Sequence, residues 1–231
     1  MKVAIIDDER IYLNQIKILL KEYDSNFDIE VFDKSEEFLK ANIKQYAIVF
    51  LDIEMPGIDG IALANEIRNA GGETLIFYIT SHTNYITSAL RTAPFQYLVK
   101  PLDKEVFLTE LERAISIITK RDAIFPVKTL EGEVNIRIGD IKYIEILNRR
   151  IEIHTKDKIV YTYGTIKEIY FRLQNYNFIK IHASFLVALS AIQNIKGYEA
   201  VLKGGDTLPI SKKNFKDTRE RFAKYISREC V

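Results

Sequence analysis

The chain has 231 residues, 47% of them hydrophobic and 28% charged, with only 10 Gly and 5 Pro, which excludes a disordered or fibrous protein and leaves room for two modest domains. The single cysteine, Cys230, excludes an internal disulfide framework; no apolar run approaches the ~18–20 residues of a membrane span, and the N-terminus lacks a signal peptide, so a cytoplasmic protein off the membrane is expected. The net charge of +1 hides an asymmetry: residues 1–121 hold 14 Lys and Arg against 19 Asp and Glu, and residues 122–231 hold 19 against 13, so only the second half suits a polyanionic partner.

Short runs rich in β-branched and aromatic residues predict strands near 2–6, 28–32, 47–51, 75–79 and 95–99. Between them, helical periodicity predicts helices near 10–22, 34–43, 60–70 and 83–91, and one starting at Asp103. Ser35-Glu36-Glu37-Phe38 reads as a helix start and Gly71-Gly72 as a helix stop. Strands alternating with helices predict a doubly wound α/β fold with a five-stranded parallel sheet, whose strand carboxyl ends all open on one edge. Asp7 and Asp8, Asp52, Thr80 and Lys100 each follow one of these runs, so one crevice receives three carboxylates, a hydroxyl and an ammonium.

That set suits a hard divalent cation and a phosphoryl group. Mg²⁺ prefers octahedral oxygen ligands, for which Asp7, Asp8, Asp52 and the backbone carbonyl of Glu54 are the candidates. Asp52 is then placed to attack phosphorus as a nucleophile, with Lys100 and the Thr80 hydroxyl stabilising the equatorial oxygens. Each piece alone has a plainer reading: Asp7-Asp8-Glu9 as a helix start, Thr80-Ser81 as a cap, Lys100-Pro101 as a loop. Their order and strand-end spacing together favour the site.

A boundary is expected near Lys120-Arg121-Asp122, giving domains at 1–121 and 126–231 with a linker at 122–125, because Pro126 cannot continue a helix. Beyond it the apolar period becomes two. Arg149–His154 and Lys158–Tyr163 read as strands joined through Thr155-Lys156-Asp157, and Tyr198–Lys203 and Thr207–Ile210 flank a Gly204-Gly205-Asp206 hairpin turn. Thr165-x-x-Glu168 is a capping-box pattern ahead of one amphipathic helix, and a basic helix is expected near 212–226. This half is mainly antiparallel β.

On Ile5-Ile6-Asp7-Asp8-Glu9, Leu51-Asp52-Ile53-Glu54-Met55-Pro56-Gly57-Ile58-Asp59-Gly60, Ile79-Thr80-Ser81 and Tyr97-Leu98-Val99-Lys100-Pro101, residues 1–120 resemble a response-regulator receiver domain of flavodoxin-like fold. The resemblance implies phosphotransfer to Asp52 from a sensor histidine kinase and a cis peptide before Pro101. It further implies a switch formed by Thr80 and Tyr97, and dimerisation through residues 83–118 on phosphorylation. No enzymatic activity beyond self-directed phosphotransfer and autodephosphorylation is expected. A phosphatase of the haloacid-dehalogenase kind also uses a strand-end aspartyl nucleophile, but it calls for a second Asp where this chain has Glu54.

The second half resembles a LytTR-type DNA-binding domain on Ile144-Glu145-Ile146, the Thr165–Leu173 helix, Phe178–Val187, Ile192–Ile195 and Leu208–Lys213, departing from it at Ala183 and Ala188. The resemblance implies loops, not a recognition helix, entering successive major grooves of double-stranded promoter DNA; a dimer would place two such domains on one duplex, so paired half-sites are expected. Candidate contacts are Asn148, Arg149 and Arg150, then Lys180 and His182, then Ser211, Lys212 and Lys213. Arg149 is the favoured base reader, and the lysines suit phosphate. For His182 a hydrogen-bonding role beside the core is the other reading. A signalling adaptor whose basic half binds RNA or a partner protein is the alternative function.

Overall fold

The computed structural model describes residues 1–81 and 84–229. The chain divides into two compact units, Met1–Ser116 and Ile117–Glu229.

The first unit contains β1 (Lys2–Ile6), α1 (Arg10–Tyr23), β2 (Asp28–Phe32), α2 (Ser35–Leu39), β3 (Ile48–Leu51), α3 (Gly60–Asn69), β4 (Leu75–Thr80), α4 (Ile86–Ala89), β5 (Gln96–Val99) and α5 (Lys104–Asp122), which runs on into the second unit. The sheet is parallel throughout, in the order β2-β1-β3-β4-β5. Both faces are covered, so its central strands read as unbroken apolar runs. Ala4, Ile6, Val49, Leu51, Ile76 and Tyr78 share one core with Phe38, Leu63 and Ile67. On β3, Phe50 stacks on Phe107 at 5.3 Å and lies 4.8 Å from Phe77.

Helix α2 departs from expectation in two ways. Helix α2 is shorter than 34–43, and Ser35 does not cap it. Lys34 is the N-cap residue, while the buried Ser35 hydroxyl donates to the Ile58 carbonyl at 2.7 Å. A tertiary bond to the loop after β3 has taken the hydroxyl away from the helix end. Helix α4 begins at Ile86; the start expected near 83 lies outside the described residues.

The second unit contains β6 (Ile124–Thr129), β7 (Gly132–Arg137), β8 (Ile141–Leu147), β9 (Arg150–Thr155), β10 (Ile159–Thr162), α6 (Ile166–Leu173), β11 (Phe178–Lys180), β12 (Phe185–Ala188), β13 (Ile192–Lys196), β14 (Glu199–Leu202), β15 (Thr207–Pro209) and α7 (Phe215–Glu229). Residues 122–125, expected as a linker, are the end of α5, one connecting residue and the start of β6, with Phe125 buried. Pro126 sits inside β6, which belongs to a two-stranded sheet, where a missing donor on a free edge is tolerated.

An antiparallel sheet in the order β10-β9-β8-β12-β11 forms the middle layer. On one face, Ile144, Ile151, Ile153 and Leu186 pack with β6, β7 and α6. On the other, Tyr143, Ile179 and Val187 pack with β13–β15 and Phe222 of α7. The capping box is present: the Thr165 hydroxyl accepts from the Glu168 amide at 3.2 Å, and Glu168 Oε2 accepts from the Thr165 amide at 2.9 Å. Helix α7 starts three residues later than expected because 211–214 close a turn through the Asn214 amide and the Ser211 carbonyl at 3.0 Å. Among the described residues no helix is long and apolar enough to cross a membrane.

Candidate functional site

Parallel pairing delivers the ends of β1, β3, β4 and β5 to one edge, and the carboxylates gather there. Asp7 and Asp52 are buried, Asp8 is exposed, and one oxygen from each of the three lies within 4.8 Å of the others. The Lys100 ammonium reaches from the end of β5 past the end of β4 to them, 2.7 Å from Asp52 Oδ2, 2.9 Å from Asp7 Oδ2 and 3.1 Å from Glu9 Oε1. The Lys100-Pro101 peptide is cis, and Lys100 Nζ lies 3.9 Å from the centre of the Tyr12 ring. Thr80 is fully buried at the end of β4.

The loop after β3 is held over the crevice by the backbone. Asp52 Oδ1 accepts from the amides of Ile53 at 2.6 Å and Glu54 at 3.3 Å, so Glu54 lies at the rim. The Gly60 amide returns to the Ile53 carbonyl at 2.9 Å, and a Cβ on Gly60 would stand 2.0 Å from the Asp52 carbonyl oxygen. Only a residue without Cβ allows this approach. Gly60→Ala is therefore expected to displace the Asp52 backbone and lower the melting temperature by several degrees; an unchanged melt would contradict this packing.

Burial dominates the electrostatics. Desolvation pushes the Asp7 carboxyl up to about 6 against the opposing pull of Lys100, and it raises Asp52 for the same reason. Lys100 is raised because its bonds to Asp52 and Asp7 outweigh the desolvation of its own charge. Asp7 Oδ2 is buried without a well-aligned hydrogen bond, although the ammonium is 2.9 Å away. This oxygen still has acceptor capacity to spare. Three clustered carboxylates facing one ammonium, with an under-satisfied oxygen among them, fit a divalent cation with oxygen ligands.

Tyr97 lies half-buried on β5, its ring 6.1 Å from that of Tyr78. Burial raises its hydroxyl, with the Asp52 and Glu54 charges adding to the effect. Tyr85 on the α4 side engages the Glu54 carboxylate. Sequence reasoning named Glu9 without a role and missed Tyr12 and Tyr85. Nothing in local spacing marks aromatic residues that a lysine 88 positions away will lie over.

In the second unit, hydrogen bonds link all three candidate basic segments along one sheet end. The Ile146 amide donates to the Ser184 carbonyl at 3.0 Å, the Ser211 amide to the Ile181 carbonyl at 2.9 Å, and Asn214 Nδ2 to the Lys180 carbonyl at 2.9 Å. Asn148 and Arg149 form the exposed two-residue tip between β8 and β9, both left-handed at φ 51° and 65°. Such a turn suits the strand twist but costs a non-glycine residue about 1 kcal/mol. Lys212 and Lys213 are exposed, and Ser211 closes the turn that precedes α7.

Two candidates are otherwise engaged. Arg150 pairs with the buried Glu152 at 3.0 Å and lies over the Tyr161 ring at 4.1 Å. His182 accepts from the Ser184 amide at Nδ1, 3.2 Å away, and so closes its own loop. The hairpin tip Lys196-Gly197-Tyr198 was missed. It joins this end because Tyr198 packs on Phe215 at 4.6 Å; Gly197, at φ 55°, was its only local signal.

Comparison with known proteins gives each half a family. The family model described as response regulator receiver domain matches residues 3–112, and that of the LytTr DNA-binding domain matches residues 131–223. Sensory transduction protein LytT of Bacillus cereus is 24% identical over 95% of this chain and 98% of its own length. Transcriptional regulatory protein YpdB of Escherichia coli K12 is 26% identical over the same shares. The solved response regulator protein TrrA of Thermotoga maritima is 28% identical, covering 49% of this chain and 97% of its own, with a TM-score of 0.45. The chain thus belongs to the response regulators that join a receiver domain to a LytTR DNA-binding domain, and it is a phosphorylation-controlled transcriptional regulator.

Proposed function

We propose that Asp52 is the phosphoacceptor and that its phosphorylation by a sensor histidine kinase drives dimerisation and promoter binding in the cytoplasm. The observation that carries this reading is the burial of Asp52 between Lys100 and Asp7 at the edge where the strand ends meet. A carboxylate oxygen of Asp52 forms a bond to phosphorus as the phosphorus–nitrogen bond of a phosphohistidine breaks, and the departing imidazole keeps the electron pair. Lys100 then shifts its charge from the carboxylate to the phosphoryl oxygens, and the Thr80 hydroxyl donates to another. Mg²⁺, held by Asp7, Asp8, Asp52 and the Glu54 carbonyl, would neutralise charge on those oxygens. Any catalysis by the chain is confined to its own phosphorylation and dephosphorylation.

Thr80 and Tyr97 form the switch pair in this proposal. A phosphoryl group draws the Thr80 hydroxyl toward itself and frees space into which the half-buried Tyr97 ring turns. The surface this reaches carries exposed apolar side chains, namely Ile86, Leu90, Val99 and Val106, which supports its use between two copies. A dimer joins two basic edges on one duplex, so the target is a pair of similar half-sites about one helical turn, or a multiple of it, apart.

Sedimentation velocity with and without beryllofluoride, followed by binding to duplexes of varied half-site spacing, tests this. A dimer only with beryllofluoride, and affinity that peaks at whole-turn spacing, is expected. A monomer in both states, indifferent to spacing, would sink the dimer mechanism.

A further inference from the structure

We propose that Glu145, Glu152 and His154 form a second cation site, in the LytTR unit, for Zn²⁺. The three ligand atoms lie within 4.8 Å of one another. Glu145 and Glu152 are direct cross-strand partners on β8 and β9, like charges that work against the sheet and of which Arg150 offsets the one on Glu152. Neither is a solvated surface acid: their side chains are 19% and 8% exposed, and that of His154 is 14% exposed. The imidazole and two carboxylates make a mixed nitrogen and oxygen donor set, which suits zinc better than magnesium.

The geometry is close to ligation. His154 Nε2 is 2.8 Å from Glu145 Oε1 and 3.9 Å from Glu152 Oε2. These distances bracket the edge of a tetrahedron of about 3.3–3.5 Å that follows from zinc–ligand bonds of about 2.0–2.2 Å. The supporting residues are in place. Arg150 occupies Glu152 Oε1 at 3.0 Å and leaves Oε2 toward the imidazole. Tyr143 stacks on the His154 ring at 4.1 Å and 14°, fixing its plane. Zinc ligates through the Nε2 lone pair of the neutral imidazole, in place of the contact between Nε2 and Glu145; the ring proton then sits on Nδ1, so the ring stays neutral and no net proton is released. With three protein ligands, a fourth position is left to water.

Such an ion ties β8 to β9 two residues from the strand ends that carry the Asn148-Arg149 tip. Zinc therefore stiffens the hairpin, and its effect on DNA rests on the DNA reading above. The metal measurement needs no DNA, so the two fail separately.

The full chain, with excess Mg²⁺ present to fill the carboxylate crevice of the first unit, is titrated with Co²⁺ alone. One equivalent with visible d–d bands of a low-symmetry ion, displaced by Zn²⁺, is expected. It is retained in Asp8→Asn and lost in His154→Gln and Glu145→Gln. Absence of Co²⁺ uptake, or bands that survive in both variants or vanish in Asp8→Asn, overturns the site. Should either variant fail to fold, the wild type still decides. Bound Co²⁺ must shift and broaden the His154 ring resonances, and unmoved resonances overturn the proposal.

Discussion

Replacing Asp52 with asparagine abolishes phosphate incorporation from a small phosphodonor, while the wild type takes up one phosphate per chain and loses that capacity in chelator. The expected loss is complete because an amide cannot supply the anionic nucleophile. Unfolding does not explain it away. A carboxyl whose pKa is higher in the folded than in the unfolded state holds its proton more tightly when folded, so its ionisation works against the fold. Burial raises Asp52 in this sense, so at pH 7 removal of its charge relieves the fold and eases repulsion with Asp7. Lys100 keeps its 2.9 Å pairing to Asp7. Mass spectrometry for phosphate and thermal melting for stability, each without Mg²⁺ and with it, check both halves. Undiminished labelling of Asp52→Asn would remove Asp52 from its role, and a melt well below wild type would show that the crevice needs its charge.

Duplex DNA binding by the full chain should weaken steeply as salt rises, because each lysine or arginine on a phosphate releases counterions. Arg149→Ala is expected to cost about 1–3 kcal/mol and to relax preference at one base pair, as for an arginine reading a guanine edge. Lys212→Ala should weaken all sequences alike and flatten the salt slope by about one unit. Arg150→Ala should behave differently from its neighbour. It leaves the buried Glu152 without its 3.0 Å partner, so it should lower the melting temperature more than it alters base preference. Fluorescence anisotropy at several salt concentrations, with a library of single base-pair changes, separates these effects. If binding does not vary with salt, or Arg149→Ala leaves every base preference intact, the loop assignment is wrong.

The receiver half was legible in the sequence because its chemistry sits at strand ends. Parallel strands buried on both faces are written as unbroken apolar runs, and Asp7, Asp52, Thr80 and Lys100 each close one. Topology then has little freedom: the sheet order brings those ends together. Capping at Thr165 was legible for a similar reason, since both of its hydrogen bonds lie within three residues.

What only the tertiary structure decided is the availability of each side chain. Ser35 has a good local reason to cap α2, yet its hydroxyl goes to Ile58, 23 residues away. Arg149 and Arg150 look alike in sequence, but the left-handed turn leaves one at an exposed tip while Glu152 and Tyr161 hold the other. Lys180, His182 and Lys212 come to one sheet end because Asn214 bonds to Lys180 at the end of β11 and Ser211 to Ile181 just after it. Spacing along a strand determines which face a residue occupies. Which long-range partner reaches it first depends on packing between elements, and that competition for a hydrogen bond or an ion pair is absent from any local pattern.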